Sequence, residues 1–92
     1  MAGDLKPFGA LASLRRLILA GCRSIVGSVD PLAGCRDLAE LDLGRTRVSG
    51  SVVSLAACRY LQRLDLVGCD DVTDVEELAG KLPYCSVVPP SG

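Results

Sequence analysis

The sequence predicts an α/β fold wound as a short solenoid, with a parallel sheet along one side and brief helical or irregular segments along the other. The phrase L-x-x-L-x-L occurs three times, as Leu14-Arg15-Arg16-Leu17-Ile18-Leu19, Leu38-Ala39-Glu40-Leu41-Asp42-Leu43 and Leu61-Gln62-Arg63-Leu64-Asp65-Leu66, at offsets of 24 and 23 residues. A period of that length marks supersecondary units that bury their apolar faces against one another. Aliphatic residues are also abundant, while the chain holds one Phe, two Tyr and no Trp. That composition suits layered Leu and Val better than a globule organised on aromatic anchors.

The units follow in order along a single domain spanning 1–92: a partial repeat over 3–13, repeats over about 14–37, 38–60 and 61–81, a degenerate strand over 82–88 and a tail over 89–92. Each L-x-x-L-x-L phrase reads as a strand. Strand side chains alternate between faces, so Leu17 and Leu19, Leu41 and Leu43, and Leu64 and Leu66 point inward. Arg16 and Ile18, Glu40 and Asp42, and Arg63 and Asp65 point outward. Because every repeat returns to the same starting point, the strands must run parallel.

Three residues after each strand phrase comes a small side chain, Cys22, Thr46 or Cys69, expected to form a buried structural ladder. A buried Thr hydroxyl needs an acceptor, and the carbonyls of neighbouring turns are the natural one. Ile25, Val48 and Val72 come next. Recurring turn spellings, Gly3-Asp4-Leu5, Gly27-Ser28-Val29 and Gly50-Ser51-Val52, precede apolar lead-ins at Leu5 and Phe8, Val29 and Leu32, Val52 and Leu55, and Val75 and Leu78. Leu11, Cys35 and Cys58 form a further column. The three-residue steps through Val52, Leu55, Cys58 and Leu61 favour a 3₁₀-like winding around 55–59 and its equivalents. The one extra residue of the first full repeat falls between Leu19 and Leu32, in a segment read as loop, where insertions are tolerated.

At the C-terminal end two registers are open: Leu82, Cys85 and Val87 inward, or Tyr84 and Val87 inward. The first preserves the repeat phrase and is preferred. Proline donates no ladder hydrogen bond, so Pro89-Pro90 should close that edge. No comparable cap precedes Leu17. The chain therefore reads either as a slice of a longer solenoid or as a unit whose open N-terminal end pairs with a second copy.

These phrases resemble the leucine-rich repeat family, whose L-x-x-L-x-L-x-x-[N/C] pattern is met three times with Cys22, Thr46 and Cys69 at the Asn/Cys position. Asp30-Pro31-Leu32 resembles the lead-in of the short-repeat subtype related to type-1 phosphatase regulators and bacterial internalins. The Cys ladder is similar to the cysteine-containing subtype of ubiquitin-ligase substrate receptors. The resemblance spans Gly3 to about Val88. It implies a curved arc with the strands on its concave side, and a protein-binding role such as a regulator-like binder of a phosphatase or a receptor for a ubiquitin-ligase substrate.

Composition narrows the classes further. Ten basic residues against eleven acidic ones give a net charge of −1, without the basic excess expected of a nucleic-acid or anionic-membrane binder. No stretch approaches the ~18 apolar residues of a membrane helix, and Arg15 and Arg16 interrupt the only candidate signal segment. A soluble cytoplasmic setting is the expectation. The odd count of five cysteines without C-x-x-C pairing argues against a disulfide framework or zinc site, although Cys35 and Cys58 share a column where a bridge is sterically open. Reduced thiols acting as small core hydrophobes are expected instead.

Neither catalysis nor a cofactor is expected. The chain has no His, no nucleophile–base pair at recognisable spacing and no phosphate-cradling glycine motif. The candidate surface is the outward strand face. One column holds Arg16, Glu40, Arg63 and Ser86, where alternating charge reads as a ladder worth ~0.2–1 kcal/mol per pair. The next holds Ile18, Asp42, Asp65 and Val88, bordered by Val67. Like charges opposite each other destabilise a sheet. Asp42 and Asp65 are thus either compensated by Arg16 and Arg63 or placed to receive a Lys or Arg of a protein partner. Beyond the strands, Arg23, Arg45 and Arg47 give way to Asp70, Asp71 and Asp74. This run reads as solvated loops or as a basis for head-to-tail attraction between copies.

Overall fold

The computed structural model describes residues 3–92, which form an α/β arrangement of parallel strands in two sheets with few helices. Seven strands alternate between the sheets: β1 (Arg16–Ile18), β2 (Val26–Ser28), β3 (Glu40–Asp42), β4 (Arg47–Ser51), β5 (Arg63–Asp65), β6 (Asp71–Thr73) and β7 (Ser86–Val88). The odd-numbered strands make a four-stranded sheet in the order β1-β3-β5-β7, and the even-numbered ones a three-stranded sheet in the order β2-β4-β6. Each repeat contributes one strand to each sheet.

The first sheet has the register that the alternation requires. Arg16, Glu40, Arg63 and Ser86 are partners across it, as are Leu17, Leu41, Leu64 and Val87, and then Ile18, Asp42, Asp65 and Val88. The middle column points into the core, where Leu41 and Leu64 are buried. Pairing continues past the strand ends, with Leu43 N–H donating to Asp65 O at 2.9 Å and Leu66 N–H to Val88 O at 2.9 Å. Gly68 N–H then donates to Pro90 O at 2.8 Å. Pro90 thus accepts from the ladder although it cannot donate to it. In the segment leading into β7, Leu82 is buried and Tyr84 is 94% exposed, so the inward set is Leu82, Cys85 and Val87.

The second sheet is a correction to the sequence reading, which treated Gly27-Ser28 and Gly50-Ser51 as turns. Val26 pairs with Arg47, and Ser49 with Asp71; Gly3 adds an isolated parallel bridge to Ile25. Each of these strands places one buried apolar residue inward or next to it: Ile25, Val48 and Val72. Apart from the exposed Val26, the rest of these strands is Gly, Ser, Thr or charged, so no alternation of apolar and polar residues marks them as strands.

Between the sheets run the return segments. Asp30–Gly34 and Val52–Ala57 are 3₁₀ helices, beginning three residues earlier than the sequence placed the second of them. Steps of three keep their anchors aligned: Cys58 N–H donates to Leu55 O at 2.9 Å, and Leu61 N–H to Cys58 O at 3.0 Å. The third return is an α-helix, α2 (Val75–Lys81), rather than another 3₁₀ turn. Its anchors Leu78 and Leu82 are four residues apart, and Leu82 N–H donates to Leu78 O at 3.0 Å. That extra residue converts an i→i+3 winding into an i→i+4 one. The first lead-in holds a single helical turn, α1 (Lys6–Gly9), with Pro7 in its first turn.

The core is one cluster built on the recurring columns, including Val29 and Val52, Leu32, Leu55 and Leu78, and Leu38 and Leu61. Two members expected inside lie outside. Leu11 is 48% exposed and Cys22 is exposed, while Leu19 is only partly buried. All three belong to the first turns of the chain, near the edge that β1 forms in the four-stranded sheet. No helix among the described residues is long and apolar enough to cross a membrane.

Candidate functional site

The outward face of the four-stranded sheet carries the residues singled out from the sequence. Three-residue strands in strict register place their first and third side chains in two parallel columns on that face. In the first column Arg16 Nε lies 3.2 Å from Glu40 Oε2. It is the sole ion pair among the described residues, so the charge ladder expected through Arg63 is made only in part. Arg63 is exposed beside Glu40 and Ser86.

In the second column Asp42 and Asp65 are direct register partners between the apolar Ile18 and Val88. Their compensation is different from the one expected of Arg16 and Arg63. Gly44 N–H donates to Asp42 Oδ1 at 2.9 Å, and Val67 N–H donates to Asp65 Oδ1 at 3.0 Å. Each carboxylate thus accepts from the backbone two residues on, an Asx turn that fixes the chain as it leaves the strand. One oxygen of each carboxylate is engaged in this way, and the other has no such backbone bond. Gly44 makes the close approach possible: a Cβ there would stand 3.1 Å from both Asp42 Oδ1 and Val67 Cγ1.

Asp42, Asp65, Gly44 and Val67 line an open hollow of about 280 Å³ beyond the C-terminal ends of the strands, together with Ala20, Gly21 and Arg45. Ile18, 50% exposed, stands beside Asp42 at the strand end. Arg45 is the residue here that the pattern of leucines does not announce. It takes φ of 60°, at the position where the neighbouring repeats place Gly21 and Gly68 at φ of 81° and 78°. An L side chain held there costs about 1–2 kcal/mol. The shared backbone shape lets Arg45 N–H donate to Val67 O, as Gly21 N–H does to Gly44 O at 2.8 Å.

A second hollow of about 520 Å³ adjoins it through Arg45 and is lined by Arg23, Arg47, Asp70 and Asp71 as well. The basic and acidic loops that the sequence set at opposite ends of a charge gradient therefore face one another around a single opening.

The thiols form part of the scaffold. Cys35 Sγ donates to Phe8 O at 3.1 Å, Cys58 Sγ to Leu32 O at 3.4 Å, and Cys69 Sγ to Leu43 O at 2.9 Å. Each reaches back to a carbonyl of the preceding repeat. Thr46 differs from expectation, since its hydroxyl donates to Leu43 O of its own turn at 2.8 Å. Burial raises the pKa of Cys35 and Cys85, and burial together with the neighbouring Cys35 pushes Cys58 up to about 11. All five cysteines are free. Cys35 and Cys58, both buried with raised pKa, are held as neutral thiols, poor nucleophiles at neutral pH.

No group of three or more Cys, Asp or Glu side chains among the described residues is arranged to hold a metal ion. No family model matches the chain, and no curated protein or solved structure matches it either.

Proposed function

We propose that the chain is a leucine-rich-repeat solenoid serving as a non-catalytic protein-interaction module, and that it binds a partner on the outward face of its four-stranded sheet. In this reading that face is the concave side of an arc. The observation that carries it is the Asp42–Asp65 pair. Two carboxylates stand in direct register with an apolar rim of Ile18 and Val67, each with one oxygen held by a backbone amide. Fixing the carboxylates beforehand lowers the ordering cost of binding, and a Lys or Arg side chain of a partner supplies the charge the pair lacks. Arg16, Glu40 and Arg63 form the polar border of the same face.

The test uses the double variant Asp42→Asn/Asp65→Asn. Asn retains an oxygen that accepts the Gly44 and Val67 amides, so melting temperature should hold or rise. Affinity for a Lys- or Arg-rich partner peptide should fall about tenfold or more, as for a desolvated charge pair. Unchanged affinity would remove this face from the binding surface.

A second reading, assembly through the first turn, rests on a separate observation. Leu11, Ile18 and Val26 are 48%, 50% and 45% exposed, and β1 forms one edge of its sheet. Such an edge is a template for pairing with another chain.

A further inference from the structure

We propose a second docking surface, a cationic and aromatic groove along the opposite rim of the four-stranded sheet, whose occupant is an extended acidic peptide segment.

The groove is built by the turns that lead into the strands. In each, two inward anchors three residues apart are tied by an i→i+3 hydrogen bond: Leu38 N–H to Cys35 O at 3.1 Å, Leu61 N–H to Cys58 O at 3.0 Å and Cys85 N–H to Leu82 O at 2.9 Å. The two residues between such anchors are forced outward. They are Arg36 and Asp37, Arg59 and Tyr60, and Pro83 and Tyr84, and every one of them is exposed. Cys35, Cys58, Leu38, Leu61 and Leu82 are buried, so the outward residues project from a fixed backbone.

Three adjoining hollows of about 400, 450 and 330 Å³ follow this rim. Arg59 lines both the first and the second, and Tyr60 both the second and the third, which sets them side by side as a trough along the rim. Its charged residues are Arg15, Arg36, Arg59 and Lys81 against the single acid Asp37. Four cations to one anion is a local excess in a chain of net charge −1. None of the four has an ion-pair partner within 4.0 Å among the described residues, although Glu77 precedes Lys81 by one helical turn on α2. Both tyrosines of the chain lie here, Tyr60 68% and Tyr84 94% exposed, and Tyr84 shares its hollow with the apolar Ala56, Leu61 and Pro83.

Unpaired cations on a rigid backbone select an anionic partner, and exposed tyrosines with an apolar floor select side chains rather than phosphates. Arg36 and Arg59, at equivalent positions of neighbouring repeats, stand at the ~4.8 Å strand spacing. An extended peptide offers same-side acidic groups every second residue, ~6.8 Å apart, and flexible Arg side chains accommodate the difference. A long nucleic-acid strand is disfavoured, because the acidic segment carrying Asp70, Asp71, Asp74, Glu76 and Glu77 repels an extended polyanion.

The experiment is fluorescence anisotropy with the intact chain and a labelled peptide of about seven residues, ~23 Å extended, with Glu at alternate positions and Leu or Phe between. The same peptide with Lys for Glu, and a single-stranded oligonucleotide of equal charge, are the comparison probes. Arg36→Glu/Arg59→Glu should weaken peptide binding about tenfold or more, as should raising the salt from 50 to 500 mM. Tyr84→Ala should weaken it about threefold, and Asp42→Asn/Asp65→Asn should leave it unchanged. That last variant separates this surface from the one proposed above. Arg36→Gln/Arg59→Gln, checked for an unaltered melting temperature, provides a milder loss if charge reversal disturbs folding. The proposal is overturned if the Glu peptide does not bind, if the Lys peptide binds as well, if neither Arg double variant changes affinity, or if the oligonucleotide binds more tightly than the peptide.

Discussion

The first repeat and the middle repeats are spelled with the same letters and end in different environments. Leu43 and Leu66 are fully buried, Leu38 and Leu61 are at most 3% exposed, and Cys58 and Cys69 are enclosed. Their counterparts near the start are looser: Leu19 and Leu14 are partly buried, Leu11 is half exposed and Cys22 faces solvent. The direction of the thiol bonds explains the contrast. Cys35, Cys58 and Cys69 each donate to a carbonyl one repeat earlier, so each position is enclosed by the turn before it as well as the turn after. A consensus residue is therefore an offer of burial, and a neighbour on both sides makes good the offer.

The sharpest way to break this comparison is to truncate one leucine from each region. Leu64→Ala should cost about 3–5 kcal/mol, because it opens a cavity where surrounding side chains are fixed. Leu11→Ala, half exposed at the start, should cost less than about 1 kcal/mol. Urea unfolding of both variants measures the difference, and equal losses would mean that enclosure by a turn on each side adds nothing to the stability of a repeat.

A smaller effect follows from the thiols. The folded state holds Cys58 neutral, with its pKa raised from 9.0 to about 11, and raises Cys35 and Cys85 as well. The unfolded chain ionises first, so it binds fewer protons between these values and stability falls as pH rises. The contribution is complete below pH 9 and is lost as pH passes about 11. Unfolding midpoints measured at pH 8 and pH 10.5 should diverge for the native chain. Cys58→Ala should reduce that divergence, whereas Cys22→Ser, in the exposed first repeat, should leave it intact.

The smallest effect concerns the backbone that both regions share. Gly21, Arg45 and Gly68 hold the same positive-φ conformation, whatever the burial around them. Arg45→Gly relieves the strain of an L residue there but adds freedom to the unfolded chain. A net gain of up to about 1 kcal/mol by thermal or urea unfolding is the expected outcome, and a loss would assign Arg45 a role in holding the hollow beside Asp42 and Asp65.

Much of the first sheet was legible. Leucines at period two inside a phrase of period 23–24 place Leu17, Leu41 and Leu64 in one column and Asp42 beside Asp65, because alternation and repetition together leave one parallel register. The second sheet was not legible, since β4 and β6 carry a single apolar anchor each, β2 has its anchor Ile25 just outside the strand, and the rest is mostly Gly, Ser, Thr and charged residues. Their pairing depends on backbone groups that any sequence possesses. The site was legible in its residues and not in its bonding: two aspartates in register suggested repulsion, and the amides of Gly44 and Val67 that hold them are backbone atoms no motif displays. The turn rim was missed for a related reason. Arg36, Arg59, Tyr60 and Tyr84 are scattered singly along the chain, and only the hydrogen-bonded turns bring them into one trough.

The order of apolar anchors, their steps of three or four residues and the alternation of faces were properties of the one-dimensional pattern. They dictated parallel strands, 3₁₀ returns at Asp30–Gly34 and Val52–Ala57 and, through the wider step to Leu82, the α-helical return at Val75–Lys81. Tertiary structure decided which consensus residues are enclosed, which charges meet and where the open surfaces lie. Burial, charge contact and hollow shape are relations between neighbours, and each is set by the packing of one turn on the next rather than by any residue alone.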